Sequence, residues 1–125
     1  MNSLKLDLDI NELIKLNAFI NKIIAKKDIQ VDLIAEEIFV NIVNYSNSDF
    51  INVNAQYENQ TLTLEFIDNG IPFNPLLKED PDTPDTIEET QIGGLGIFLT
   101  KQLADDISYD YLNGENHLKI IKKVE

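Results

Sequence analysis

Two polar side chains on one predicted helix have the spacing and the chemistry to share a ligand. Glu37 and Asn41 lie four residues apart, so a helix places them one turn apart on the same face. The amide oxygen of Asn41 suits Mg²⁺, a hard cation that takes oxygen ligands, and the Glu37 carboxylate suits proton abstraction from an attacking hydroxyl. In isolation the same pair is also typical of a solvated helix flank.

A second cluster, residues 68–70, closes a predicted strand in which apolar residues alternate from Leu62 to Phe66. The same alternation directs Asp68 toward the buried face of the strand. A carboxylate in that position can accept a hydrogen bond from an exocyclic amino group such as that of adenine, and Gly70 lets a flat ring approach the backbone. An ordinary turn explains the same three residues.

A third cluster contains three glycines, Gly93, Gly94 and Gly96, at the start of a predicted helix. Glycines permit backbone conformations that turn successive amides toward an anion, and a helix N-terminus favours negative charge, so this segment can hold phosphate without arginine. Lys101 follows within two turns and is placed to reach a β- or γ-phosphate. A loop hinge and a solvent-exposed lysine are the alternatives for these residues.

Composition limits the classes of protein to which the chain can belong. It has 125 residues with 10 basic side chains, all lysine, against 22 acidic ones, for a net charge of −12. This balance argues against binding nucleic acid or an anionic membrane, since both depend on clustered positive charge. The chain contains no cysteine and one histidine, His117, which excludes disulfides and His-rich metal sites. With no apolar run long enough to span a membrane and no secretory signal, we expect a cytoplasmic protein.

The predicted secondary structure alternates between helices and strands. Leu4, Leu6, Leu8 and Ile10 alternate as a strand, and Asp9 with Glu12 forms a predicted capping box. Apolar periodicity then predicts helices over residues 13–27 and 31–45, strands over 51–57 and 62–68, a helix over 97–105, and strands over 107–111 and 118–121.

Residues 69–92 have a different composition, because all four prolines and many acidic residues fall inside this span. We expect a long mobile loop there. With three helices on one face of a largely antiparallel sheet, the element order predicts an α+β fold, a two-layer sandwich. The opposite sheet face is then solvated or covered by a partner.

Together and in this order, the three clusters resemble the ATP-binding boxes of the GHKL superfamily, which includes gyrase, heat-shock chaperone ATPases, histidine kinases and mismatch-repair ATPases. The matching segments are Glu37xxxAsn41, DNGIPFNP at residues 68–75 and GGLGIFL at residues 93–99. The chain is most similar to the bacterial anti-sigma-factor serine/threonine kinases, over residues 4–123. The resemblance implies a Bergerat-type fold with a mixed, mostly antiparallel sheet, a single histidine-kinase-like ATPase domain over residues 1–125, and a mobile ATP lid at residues 75–92.

The resemblance also implies ATP and Mg²⁺ as cofactors and assigns roles at matching positions. Glu37 would be the catalytic general base and Asn41 the residue that holds Mg²⁺. Asp68 would receive the adenine amino group. The implied nucleotide-binding residues are Asn41, Asp68, Gly70, Gly93, Gly94, Gly96 and Lys101.

The function implied is an anti-sigma regulatory factor that phosphorylates an anti-anti-sigma partner on serine or threonine and sequesters a sigma factor. Asn44, Leu95 and Asn116 depart from residues frequent in relatives, which keeps open a nucleotide-gated binding switch without kinase activity. A detached histidine-kinase catalytic domain and a sandwich without a nucleotide are further alternatives. The family also leaves open a homodimer.

Overall fold

Two long helices and five strands make up most of the computed structural model, which describes residues 2–72 and 100–125. Residues 10–12 form a short 3-10 turn, and residues 100–103 are helical. The long elements are helices α1 (Leu13–Ile24) and α2 (Ile29–Tyr45), and strands β1 (Asn2–Leu6), β2 (Ile51–Glu58), β3 (Thr61–Asp68), β4 (Asp106–Leu112) and β5 (Glu115–Lys123).

The five strands form one sheet in the order β1-β2-β3-β5-β4, and every pair among them is antiparallel. Two-residue turns join β2 to β3 and β4 to β5. Asn59 and Gln60 have φ angles of 53° and 60°, and Asn113 and Gly114 have 52° and 79°. Positive φ at both positions matches the twist of a tight hairpin, so these turns fix the register of each strand pair.

Alternating residues of the central strands form the sheet side of the core. Val53, Ala55, Leu64 and Phe66 are at most 2% exposed, whereas their neighbours along each strand are partly exposed. The apolar residues of α1 and α2 cover this face and complete one hydrophobic cluster. The two-layer α+β architecture is therefore confirmed, with the long helices on a single face of the sheet.

The first strand is shorter than its apolar alternation predicted. β1 ends at Leu6, which pairs with Ile51, the first residue of β2, so the residues after Leu6 have no strand to pair with. The Asp9 carboxylate instead accepts a hydrogen bond from the amide of Asn11 at 2.9 Å and starts the 3-10 turn. Ile10, predicted on the buried face, is 48% exposed.

The predicted capping box at this point is only half formed. The carboxylate of Glu12 accepts a hydrogen bond from the amide of Asp7 at 3.3 Å, rather than from the amide of the capping residue Asp9. At α2 the cap is simpler, because the Asp28 carboxylate accepts from the amide of Val31 at 3.0 Å. This cap extends the predicted second helix toward its N-terminus by two residues, to Ile29.

Several predictions fall on residues outside those that the structure describes. These are the lid at residues 75–92, the first part of the predicted helix at 97–105, and the glycines Gly93, Gly94 and Gly96. Within the described ranges, no helix has the length and apolarity needed to cross a membrane.

Candidate functional site

A pocket lies between the C-terminal half of α2 and three strands of the sheet. It contains about 330 Å³ of empty space, a volume that includes the part open to solvent. Two residues predicted to bind a nucleotide, Asn41 and Asp68, lie on its wall. The described residues that line it are Ile38, Asn41, Ile42, Ser46, Asp68, Tyr109, Asn116 and Leu118.

Asp68 is the last residue of β3 and one of the most deeply buried acids in the described residues. Its side chain is 3% exposed, as the strand alternation predicted. Oδ1 accepts hydrogen bonds from the Gly70 amide at 2.9 Å and from the Asn116 amide nitrogen Nδ2 at 3.0 Å. Burial raises the pKa of Asp68, and these two hydrogen bonds offset part of that rise because they stabilise the carboxylate.

Asn116 connects Asp68 to two other elements. It lies directly opposite Asp68 in the β3–β5 ladder and is 5% exposed. Nδ2 also donates to the carbonyl oxygen of Ile71 at 2.9 Å, and Oδ1 accepts a hydrogen bond from the hydroxyl of Tyr109 on β4. Three strands and the segment after β3 are therefore tied together at the wall of the pocket.

Asn41 carries a buried amide oxygen that lacks a hydrogen-bond partner. The residue is 6% exposed, and its Oδ1 is buried with no partner among the described residues. An unpaired buried polar atom costs about 1–3 kcal/mol, and such a cost is recovered if a ligand pairs with the atom. The amide oxygen is a hard donor, so the residue fits the predicted role of an Mg²⁺ ligand.

Glu37 lies one helical turn before Asn41 and is half-buried. It is not among the described residues that line the pocket. Burial raises the pKa of Glu37, and the neighbouring carboxylate of Glu36 raises it further. A carboxylate with a raised pKa is a stronger base while it stays ionised, which suits proton abstraction.

Gly70 brings the segment after β3 against the C-terminus of α2. A Cβ at this position would lie 2.0 Å from the carbonyl oxygen of Ser46, the residue that caps α2. The same carbonyl accepts a hydrogen bond from the amide of Ile71 at 2.9 Å. Within the described residues the need for glycine therefore comes from backbone packing; its predicted role toward a flat ring stays a prediction.

The structure describes only one of the remaining predicted binding residues, Lys101. Lys101 is half-buried in the helical residues 100–103 and is not among the described residues that line the pocket. The three glycines proposed to hold phosphate lie outside the described residues. Their roles stay predictions.

Residues 13–122 match the family model of the histidine kinase-like ATPase domain. The chain belongs to this family. The predicted membership of the GHKL superfamily is thereby confirmed, since the matched span covers most of the chain and contains every residue proposed for the site.

A curated relative of this ATPase domain is the serine/threonine-protein kinase BtrW of Bordetella bronchiseptica. The two are 26% identical over 92 residues, which cover 70% of this chain and 65% of the relative. The aligned region therefore spans slightly less than two thirds of that kinase. Family and relative together support a kinase or phosphotransferase.

Histidine kinases are among the solved structures with the same fold. The catalytic domain of histidine kinase ThkA aligns with a TM-score of 0.58 at 14% identity, covering 98% of this chain and 97% of that domain. Histidine kinase AdeS of Acinetobacter baumannii aligns with a TM-score of 0.57, also at 14% identity, over 100% of this chain and 68% of that one. At this identity the likeness establishes the fold.

Members of this ATPase family bind ATP, usually with Mg²⁺, and the pocket fits that cofactor pair in two respects. A buried carboxylate and a buried, unpartnered amide oxygen line the same pocket. The described residues contain no cluster of three or more histidine, aspartate or glutamate side chains that would hold a metal ion by themselves.

Three polar residues that line the pocket, Ser46, Tyr109 and Asn116, have no predicted role in binding or catalysis. Asn116 drew notice only as a departure from relatives, and Tyr109 only as part of an alternating strand. The pairing of Asn116 with Asp68 depends on the β3–β5 register, which joins residues 48 positions apart. The one sequence pattern that points to this wall is strand alternation, which places Tyr109 and Leu118 on the inward face of their predicted strands.

Proposed function

We propose that this ATPase domain is an ATP- and Mg²⁺-dependent protein serine/threonine kinase that works as an anti-sigma regulatory factor. It would phosphorylate an anti-anti-sigma partner and sequester a sigma factor in the cytoplasm. One observation carries the proposal: the buried Asp68 carboxylate and the unpartnered Oδ1 of Asn41 line the same pocket. The relation to a serine/threonine-protein kinase supports the choice of acceptor.

Glu37 supplies the base in the proposed reaction. Its carboxylate accepts the proton of a serine or threonine hydroxyl on the partner protein as the hydroxyl oxygen bonds to the γ-phosphorus of ATP. The bond to the β,γ-bridging oxygen breaks, and ADP leaves with the electron pair. Transfer is direct, so positioning provides most of the acceleration and no phosphorylated form of this chain is expected.

Asp68 and Asn41 position the nucleotide in this proposal. Asp68 accepts a hydrogen bond from the adenine amino group, and Asn41 holds Mg²⁺ through Oδ1. When bound, Mg²⁺ neutralises charge on the phosphates. The backbone amides of Gly93, Gly94 and Gly96 and the side chain of Lys101 are proposed to hold the phosphates, which compensates for the absence of arginine.

Transfer of labelled phosphate from ATP to a purified anti-anti-sigma domain with an acceptor serine tests the proposal. We expect Glu37→Gln to retain ATP binding and to lose transfer by about 100-fold or more, the usual contribution of a general base. Glu36→Gln is the matched control, because it removes the adjacent carboxylate, which is exposed. Equal transfer by Glu37→Gln and wild type would contradict the proposed base.

The structural likeness to histidine kinase catalytic domains favours one second candidate. If the chain is a detached catalytic domain of that type, label should appear on a partner histidine as acid-labile phosphate and not on serine. Tight ATP binding with transfer to neither acceptor would instead favour a nucleotide-gated switch that sequesters its partner without phosphorylating it.

A further inference from the structure

We propose that Tyr109 and Asn116 are positioning residues that hold the Asp68 carboxylate in one orientation. In that role they set how strongly the pocket prefers a 6-amino purine over a 6-oxo purine. The inference rests on the proposed function, because it concerns the base of the nucleotide. We name Tyr109, Asn116 and Asp68 the Tyr-Asn-Asp relay.

The contacts of Asn116 define its orientation. Nδ2 donates to two oxygens that carry no proton, Asp68 Oδ1 at 3.0 Å and the carbonyl oxygen of Ile71 at 2.9 Å. Turning the amide over would place its oxygen against these two acceptors, so only one orientation is compatible with them. The Tyr109 hydroxyl donates to Oδ1 and satisfies the remaining side of the amide.

The fixed amide of Asn116 in turn fixes the orientation of the Asp68 carboxylate. Asp68 Oδ1 receives Nδ2 of Asn116 from β5 and the amide of Gly70 from the segment after β3. Two donors on one oxygen leave the other oxygen, Oδ2, for a ligand; among the described residues Oδ2 accepts no hydrogen bond. Asp68 is 3% exposed and lines the pocket, so a group bound inside the pocket is the partner that we propose for Oδ2.

The chemistry of Oδ2 determines which base is accepted. An ionised carboxylate oxygen only accepts hydrogen bonds, so it pairs with the amino group at position 6 of adenine. The carbonyl oxygen at position 6 of hypoxanthine would face it with no proton between them, and the carboxylate would stay buried and unpaired. Nδ2 of Asn116 already donates to Asp68 Oδ1 and to the Ile71 carbonyl oxygen, so Asn116 in this orientation offers no donor to a 6-oxo group.

The dissociation constants of Mg·ATP and Mg·ITP, which differ only at positions 1 and 6 of the base, test this inference. We expect the ratio of the two constants to fall about 3- to 10-fold in Tyr109→Phe, which removes one hydrogen bond. The near-isosteric Asn116→Leu should lower the ratio by about 10-fold or more, because Asp68 then loses a direct donor. Tyr111→Phe is the matched control: Tyr111 lies on the same strand but is 42% exposed, and the ratio should not change.

A titration of the Asp68 carboxyl by ¹³C NMR in the nucleotide-free protein gives a readout that a merely structural role would not move. We expect the pKa of Asp68 to rise in Asn116→Leu and, by less, in Tyr109→Phe, since each change weakens donation to the carboxylate. The charged neighbours Glu115 and His117 are followed in the same spectra to separate their effects. If Asn116→Leu does not fold, Tyr109→Phe, which lacks only one hydroxyl, decides the question.

The outcomes separate this inference from the proposed function. If the wild type binds neither nucleotide, the proposed function fails and the inference fails with it. If the wild type binds Mg·ATP and both variants keep its ATP-to-ITP ratio and its Asp68 pKa, the inference alone is overturned. A reduced ratio in both relay variants, with Tyr111→Phe unchanged, supports it.

Discussion

Asp68 lies in the folded protein at a cost to stability. Burial raises its pKa even though Asn116 and Gly70 both donate to it. A carboxyl whose pKa is higher in the folded state binds its proton more tightly there than in the unfolded chain. Ionised Asp68 therefore lowers the free energy of unfolding, and this loss develops as the pH rises from the unfolded pKa to the raised folded pKa.

Asp68→Asn should accordingly stabilise the nucleotide-free protein near neutral pH while abolishing its response to ATP. We expect an increase of about 2–5 °C in Tm at pH 7, because the amide needs no charge in the buried position. The difference from wild type should shrink as the pH falls below the raised pKa of Asp68. Thermal unfolding across a pH series measures it, and a variant less stable than wild type at pH 7 would argue against the burial cost.

The charge of Glu36 affects the pKa of Glu37, the proposed base. Glu36 is exposed, but it raises the pKa of the half-buried Glu37 beside it. A general base must be ionised to act, so the rate of phosphate transfer should fall as the pH drops through the raised pKa of Glu37.

Glu36→Gln should shift the acidic limb of the pH–rate profile to lower pH, because Glu37 loses a like-charged neighbour. The maximal rate should stay within about 3-fold of wild type, since Glu36 contacts no reacting atom in the proposal. Single-turnover transfer rates measured over a pH series give the position of the acidic limb. If the acidic limb of the profile stays at the same pH in Glu36→Gln, the limb reports the ionisation of a group other than Glu37.

At the scale of elements, the segment after β3 is held by a backbone contact to the end of α2 and by side-chain contacts to the loop that follows α2. The Ser46 carbonyl accepts from the Ile71 amide, and Asn69 pairs with Asp49 through two hydrogen bonds of 2.8 and 3.1 Å. These contacts hold Gly70 between two wall residues of the pocket, so a change in this segment also moves Asp68.

Gly70→Ala should destabilise the protein and weaken nucleotide binding together. The new Cβ would lie 2.0 Å from the Ser46 carbonyl oxygen, so the backbone must shift, at a cost of about 1–3 kcal/mol. We expect nucleotide affinity to fall about 10-fold or more.

Denaturant unfolding and nucleotide titration measure both effects of Gly70→Ala. Gly114→Ala is the control: its positive φ makes it strained, but its Cβ would meet nothing within 4 Å. It should cost about 1 kcal/mol of stability and leave affinity unchanged. Normal affinity in Gly70→Ala would show that the contact with Ser46 does not position the pocket.

The sequence predicted these elements best where a periodic pattern had a partner to pack against. The alternation of β3 placed Asp68 on the buried face, and the helical spacing of α2 placed Glu37 and Asn41 a turn apart, because both patterns are local. The predicted end of β1 is wrong, because the extent of a strand depends on its neighbour and β2 begins opposite Leu6. The link from Tyr109 to Asp68 was out of reach because it requires the register of three strands at once.

At the scale of the whole molecule, folding and ligand binding should be coupled through Asn41. The fold buries the Oδ1 atom of Asn41 without a hydrogen-bond partner among the described residues. A ligand that pairs with this atom removes the cost, and a ligand that binds only the folded state adds to the free energy of unfolding.

Mg·ATP should raise the Tm of the wild type, by an amount that corresponds to about 2.7 kcal/mol at a concentration 100 times Kd. Asn41→Leu should be about 1 kcal/mol more stable than wild type without ligand, because it removes the unpaired oxygen, and should lose the Mg²⁺-dependent part of the shift. Asn44→Ala, at an exposed position of the same helix, should respond like wild type. A full Mg²⁺-dependent shift in Asn41→Leu would exclude Asn41 as the ligand.

The tight turn at Asn113 and Gly114 decides which residues of β4 face inward, and this has an evolutionary consequence. β5 is held in place by β3 and by its own core residues, whereas β4 is at the edge of the sheet. Deleting one turn residue should therefore slide β4 and bring Ser108 opposite Leu118, where Tyr109 lies now. A single lost codon, remote from the cavity, would be enough to alter base preference while every codon for a wall residue stayed intact.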